Sequence, residues 1–294
     1  MTTPVSFIGF GEAASAFAEG WPGVGRTVRA YDRKTDAAET RPSKQADYAR
    51  LGIEGRPTMA RAVVGAETVL CLVTADQATA AAREAAMSLA PGALWFDMNS
   101  VAPETKRVAA RVIEAVGGRY VDVAVLSPVH PKGRAAPLLV SGPHAREGVE
   151  RLQALGFSNV TAIEGPVGAA AAVKMIRSVM IKGIEALSAE CAIAAHRAGV
   201  IEAVIASLDA SEPGADWEAR LDYNLDRMMV HGLRRAAEME ESEATLDSLG
   251  VGSAMTKATV DIQRTIGSLG VSPPPRGLRA KLDALTRRPD EAAA

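Results

Sequence analysis

Apolar residues follow two rhythms along the chain, and the change between them divides it. In the first half, short continuous apolar runs of strand length alternate with segments of helical composition. Pro4 to Phe10 (PVSFIGF) reads as a strand stopping at glycines, Ala13 to Trp21 as a helix, and Thr27 to Tyr31 as a second strand. Thr68 to Val73 (TVLCLV) is a strand of the kind buried on both faces, with Asp76 placed to cap the alanine-rich helix after it. Ala93 to Phe96 is another strand, and Asn99 with Ser100 forms either a ligand-facing strand end or a turn and cap before a helix over Ala102 to Val116. Arg119 to Leu126 leads into a stiff loop with two prolines, PLLVSG returns as a strand, and a helix after His144 precedes the strand Val160 to Ile163. Strands alternating with helices predict an α/β fold with a doubly wound, mostly parallel sheet over residues 1–164.

Beyond Gly165 no convincing strand appears. Gly168 to His196 has the length of one long helix, weakened at Gly183, and Trp217 to Met229, Gly232 to Leu249 and Gly252 to Leu269 read as further helices punctuated by glycines. Pro273 to Pro275 end the series, and Arg276 to Ala294 predicts a short helix with a polar tail. Residues 165–294 therefore read as an all-helical domain. Its apolar surface exceeds what one thin layer hides, which predicts a homodimer through that domain.

The first strand-to-helix turn carries Gly9-x-Gly11-x-x-Ala14, a dinucleotide fingerprint that makes the predicted sheet Rossmann-type. Gly9 permits the tight turn, Gly11 removes the side chain that would block a pyrophosphate, and Ala14 lets helix and strand pack closely. Phe10, Glu12 and Ala13 complete the loop whose backbone N–H groups meet the phosphates. Asp32 ends the second strand at about the 20-residue offset where a carboxylate takes the ribose diol, which favours NAD over NADP; Arg33 follows and offers a charge to a 2′-phosphate. Val73, Thr74 and Asn99 lie just past strand ends, where such sheets bind ligands.

At the start of the long helix, GPVGAAAAVKMIRS sets Lys174, Arg177 and Ser178 on one face at i, i+3 and i+4. The plain alternative is a surface helix with solvated charges. Ser127 stands in the proline-rich loop, where its hydroxyl suits a substrate carboxylate; His130, between prolines, is first a loop residue and only second a proton carrier. His231, Arg234, Arg235 and Glu238 share a helix face, either as the polar wall of a cleft with His231 nearest the ligand or as a solvated helix laced by pairs such as Arg234 with Glu238.

Composition narrows the classes. Hydrophobic content of 48% and charged content of 23% belong to a soluble globular protein, and a net charge of -2 gives no electrostatic reason for nucleic acid or an anionic membrane as partner. Two cysteines without ligand spacing, four histidines, and no apolar run near ~18 residues or signal-peptide pattern lead to expectations of no metal, no membrane span and a cytoplasmic location.

With FIGFGEAASAFAEG, AYD, DVAVLSPV, GPVGAAAAVKMIRS and HGLRRAAEMEE in view, the chain resembles the β-hydroxyacid dehydrogenase superfamily, which includes 3-hydroxyisobutyrate and 6-phosphogluconate dehydrogenases. More narrowly it is similar to the phosphogluconate-dehydrogenase-like group with a distinctive helical C-terminal domain. The resemblance implies hydride transfer between NAD or NADP and a small hydroxy acid or related alcohol, with Lys174 as general acid/base. Where that superfamily places a substrate-binding asparagine, this chain presents Arg177 and then Ser178, and DVAVLSPV departs from the usual DAPVSGG. Positive neighbours such as Arg177 and an oxidised nicotinamide ring favour the neutral amine a base requires. An imine reductase on the same scaffold and a dinucleotide-binding sensor without turnover are the alternatives.

Overall fold

The computed structural model describes residues 4–21 and 27–286. The chain divides into two compact units, Met1–Lys174 and Met175–Ala294. The first contains an eight-stranded sheet in the order β3-β2-β1-β4-β5-β6-β7-β8. Its strands are β1 (Val5–Ile8), β2 (Val28–Tyr31), β3 (Glu54–Gly55), β4 (Thr68–Cys71), β5 (Leu94–Asp97), β6 (Arg119–Val125), β7 (Leu138–Ser141) and β8 (Val160–Ala162). All neighbours run parallel except β6 and β7, the returning strand. Among the described residues six α-helices accompany them: α1 (Glu12–Ala18), α2 (Arg41–Leu51), α3 (Met59–Val63), α4 (Ala78–Ala86), α5 (Pro103–Ala115) and α6 (Ala145–Ala154).

The continuous apolar runs are explained by two cores on opposite sides of the sheet. Phe7, Leu70 and Phe96 enter one with Phe10, Phe17 and Trp21; Ile8, Val69 and Trp95 enter the other with Ile113 and Tyr120. Successive residues of a strand point to opposite faces, so a strand covered on both sides has no polar phase. The strand order reverses between β1 and β4, and the chain leaves their carboxyl ends in opposite directions, which opens a crevice there.

Helix α7 (Ala169–Arg197) continues unbroken through Gly183, and the boundary between the two units falls within it, after Lys174. Its first alanines pack on the sheet: Ala170, wholly buried, joins Ala124 and Leu139. The second unit continues with α8 (Ile201–Ser211), α9 (Trp217–Ser248), α10 (Ala254–Ser268) and α11 (Leu278–Thr286), with no strand among the described residues. Its apolar core gathers Ala189, Leu221, Leu225, Met228, Ile266 and Leu282.

Three local expectations are corrected. The two helices expected over 217–229 and 232–249 are one 32-residue helix, α9. Gly232 does not end it: a Cβ there would lie 2.4 Å from the Gln263 carbonyl oxygen, so the glycine is what lets α9 and α10 cross at backbone contact. Asp76 does not cap α4; it sits in a 3₁₀ turn over Ala75–Gln77, and its carboxylate accepts from the Gln77 side chain at 2.6 Å. Ser100 does not cap α5, whose N-cap position is Ala102, without a side-chain bond. Helices α2 and α8 were not anticipated. RPSKQADYARL is too polar to display an apolar face, and α8 has Val200 at its N-cap position, with no capping side chain. The expected helix after Pro275 is α11, and the polar tail from residue 287 lies outside the described residues.

Candidate functional site

A groove of about 880 Å³ opens at the reversal between β1 and β4, and Gly9, Gly11, Asp32, Arg33, Val73 and Thr74 all line it. The two glycines differ in what they contribute. Gly9 has φ +80°, and a Cβ on it would stand 2.4 Å from the Leu72 carbonyl oxygen, so it is required by the turn and by packing against the end of β4. Gly11 is exposed, and a Cβ there would meet nothing within 4 Å. Its side-chain-free surface therefore belongs to the groove rather than to the fold. Ala14, fully buried, permits the close helix–strand contact, while Glu12 is exposed and Ala13 half-buried.

Asp32 fixes the loop from the neighbouring strand. One carboxylate oxygen accepts the Phe10 N–H at 2.7 Å and the other the Lys34 N–H at 2.9 Å, leaving further lone pairs toward the groove. The Phe10 carbonyl is held in turn by the buried Lys44 ammonium at 2.7 Å, so both polar backbone groups of Phe10 are pinned. Arg33 is exposed and donates to Gln77 at 2.6 Å. Asn99 does not line the groove itself: it is buried, and its side-chain oxygen accepts the Val73 N–H at 2.7 Å, acting on the groove wall from behind. A dinucleotide fits these groups, because the groove has the size of a cofactor site, carries an open glycine at its floor and holds a carboxylate at the second strand's end.

The lysine lies at the same edge of the sheet. Lys174, half-buried in the second turn of α7, donates from Nζ to the Ser100 hydroxyl, just past the carboxyl end of β5. Ser127 is half-buried and donates to the Pro128 carbonyl at 3.1 Å, and His130 is exposed. Arg177 and Ser178 follow on the same helix in the second unit, the arginine exposed and the serine buried. His231 is half-buried in α9. Its expected companions separate: Arg234 pairs with Glu238 at 2.7 Å on the surface, whereas Arg235 turns inward to a buried pair with Glu185, which also receives Gln263 at 3.1 Å. Glu238 further binds the buried Lys182 at 2.7 Å; burial, reinforced by Arg235 and Arg234, holds that ammonium below its ordinary pKa despite Glu238.

A group of side chains not singled out from the sequence lies beneath this edge. Asp97, Lys106 and Asp122 are almost wholly buried, with Lys106 Nζ 2.9 Å from one aspartate and 3.5 Å from the other. Tyr120 donates to Asp97 at 2.6 Å, and burial followed by the charge of Asp97 raises its phenol well above the ordinary range, keeping it a donor. Burial likewise pushes the neighbouring Cys71 thiol up to about 12. The available signal was a carboxylate inside each of the apolar strands LWFD and RYVDVAV.

Comparison with known proteins gives the family and the fold. Residues 4–163 match the NAD binding domain of 6-phosphogluconate dehydrogenase, and residues 195–266 match a domain of unknown function, DUF1932. A conserved hypothetical protein from Sinorhizobium meliloti 1021 is 38% identical, with 97% of this chain and 96% of that one covered at a TM-score of 0.78. A conserved protein described as structurally similar to 3-hydroxyacid dehydrogenases is 29% identical, covering 90% and 97% of the two chains at a TM-score of 0.71. The Mycobacterium tuberculosis 3-hydroxyisobutyrate dehydrogenase, solved with L-serine, shares the fold at a TM-score of 0.73 and 15% identity, covering 98% and 100%.

Proposed function

This chain belongs to the β-hydroxyacid dehydrogenase superfamily, and from that premise we propose that it transfers a hydride between a nicotinamide cofactor and a hydroxy acid or related alcohol, with Lys174 as general acid/base. The observation that carries the reading is the Lys174 amine held by Ser100 at the carboxyl edge of the sheet whose neighbouring strand ends line the dinucleotide groove. When bound, the nicotinamide supplies the hydride acceptor or donor. In oxidation the neutral Lys174 amine takes the hydroxyl proton; in reduction its ammonium returns the proton to the carbonyl oxygen. Gly11 leaves room for the diphosphate, and Asp32 accepts the ribose hydroxyls. Arg177 suits a substrate carboxylate, a task its planar fork performs in two parallel bonds, and Ser127, Ser178 and His231 are further candidates for substrate contacts.

Asp32 favours NAD over NADP, because a fixed carboxylate repels a 2′-phosphate. Titrating NADH and NADPH against thermal stability checks this, and a clear preference for NADPH would sink it. For the reaction, a panel of hydroxy acids, sugar acids and imines followed at the nicotinamide absorbance identifies the substrate class. Lys174→Ala should then lower turnover by at least about a hundredfold and leave NADH affinity within twofold. Retained turnover in that variant would remove lysine from the mechanism, and reduction of imines alone, at the expense of the reduced nicotinamide, would move the reading to an imine reductase.

A further inference from the structure

Strands β5 and β6 place Asp97 directly opposite Asp122, both facing the interior. Lys106, from α5, lies with them: its ammonium donates to the Asp97 carbonyl at 2.6 Å and carboxylate at 2.9 Å, and stands 3.5 Å from Asp122. Two carboxylates and one ammonium leave an excess negative charge out of water, which is costly unless something positive answers it. The answer is the first turn of α7. The second oxygen of Asp122 accepts the N–H of Gly168 at 3.0 Å and of Ala171 at 3.3 Å. Ser141, directly across from Asp122 on β7, donates to the same oxygen at 2.8 Å and accepts the Ala170 N–H at 3.0 Å. Three of the N–H groups that a helix start leaves unpaired are thus taken by one aspartate–serine pair.

The other arm of the network reaches the same place. Asp97 accepts the Asn99 backbone N–H at 3.0 Å and its side-chain amide at 2.8 Å, which fixes the turn carrying Ser100. One arm therefore holds the turn that presents Ser100, the other holds the helix start one turn before Lys174, and Lys106 joins them. A buried ion group is often replaceable by apolar residues with no loss of stability, so folding alone does not account for it.

We propose that Asp122 and Lys106 are positioning residues for Lys174: they latch the start of α7 to the sheet and so set the lysine amine against Ser100. The inference rests on the reading of Lys174 as acid/base, but its test does not need the substrate. The rate at which Lys174 is acetylated by an N-hydroxysuccinimide ester is measured across pH, by mass spectrometry of its peptide, with exposed Lys132 in the same digest as internal control. Asp122→Asn and Lys106→Met should each change the Lys174 rate at least fivefold or displace its midpoint, leaving Lys132 unchanged, and Lys106→Arg should restore the native profile. A folded Asp122→Asn protein whose Lys174 profile superposes on the native one overturns the proposal. Should that variant fail to fold, Ser141→Ala removes the Ala170 contact without touching a charge, and superposition there overturns it equally. Turnover surviving Lys174→Ala would instead sink the acid/base role and leave the labelling result standing.

Discussion

The two glycines of the first turn show that one motif holds residues with separable duties. Gly9 is constrained twice, by a positive φ and by a carbonyl oxygen 2.4 Å from where its Cβ would be, whereas nothing stands within 4 Å of a Cβ on Gly11. Gly9→Val should therefore destabilise the fold by about 2 kcal/mol or more. Gly11→Val should leave the melting temperature of the free protein within a few degrees and abolish its rise with NADH. A parallel loss of intrinsic stability at both positions would contradict this division. The motif itself was legible in the sequence, because the groups that bind a dinucleotide are local. The pinning of Phe10 by Asp32 and Lys44 was not, since residues 22 and 34 positions away supply it.

At the scale of elements, the helical unit shows two kinds of attachment. Gly232 faces Gly267 across the α9–α10 crossing, and Gly232→Val would force a side chain into backbone, at a cost of about 2 kcal/mol or more, read as a fall in the denaturation midpoint. Helix α11, whose Leu278 and Leu282 enter the apolar core, carries a charged contact as well: Lys281 donates to Asp222 at 2.8 Å and lies 3.1 Å from Asp226. Burial lowers the lysine's pKa, but the bonds to the two aspartates outweigh it, and the net shift is upward from 10.5. A lysine raised on folding stabilises fully below its unfolded value and loses that contribution as pH rises through the folded one. Lys281→Met should therefore cost about 1 kcal/mol at neutral pH, since both aspartates keep access to water, and the gap to the native protein should close only above pH 10.5. A gap that persists unchanged there would mean that the stem of Lys281, not its charge, makes its contribution. Periodicity revealed the existence of these helices but mistook Gly232 for a break, because a glycine's local penalty of about 1 kcal/mol is visible in sequence and the contact that offsets it is not.

For the molecule as a whole, the outstanding feature is apolar surface on the second unit. Ile176, Met180, Ile181 and Leu187 of α7 and Tyr223, Val230 and Leu233 of α9 are exposed. We propose that a second copy of the chain covers them, giving the homodimer expected from the thinness of the helical layer. Light scattering should give twice the 30.7 kDa chain mass, and Leu187→Glu with Met180→Glu should shift it to the monomer. A monomer in the native protein would end this proposal. Among the described residues no helix is long and apolar enough to cross a membrane.

By itself the sequence determined the order and type of most elements, the parallel sheet, the dinucleotide turn and the lysine-bearing helix, because each depends on spacing and on residues close together in the chain. Only the tertiary structure decided what surrounds them. Asp97, Lys106 and Asp122 come from three separate elements, and Lys174 meets a serine 74 positions earlier in the chain. In sequence a buried carboxylate is indistinguishable from a solvated one. The difference arises only when the sheet closes over it and a helix start supplies the partner.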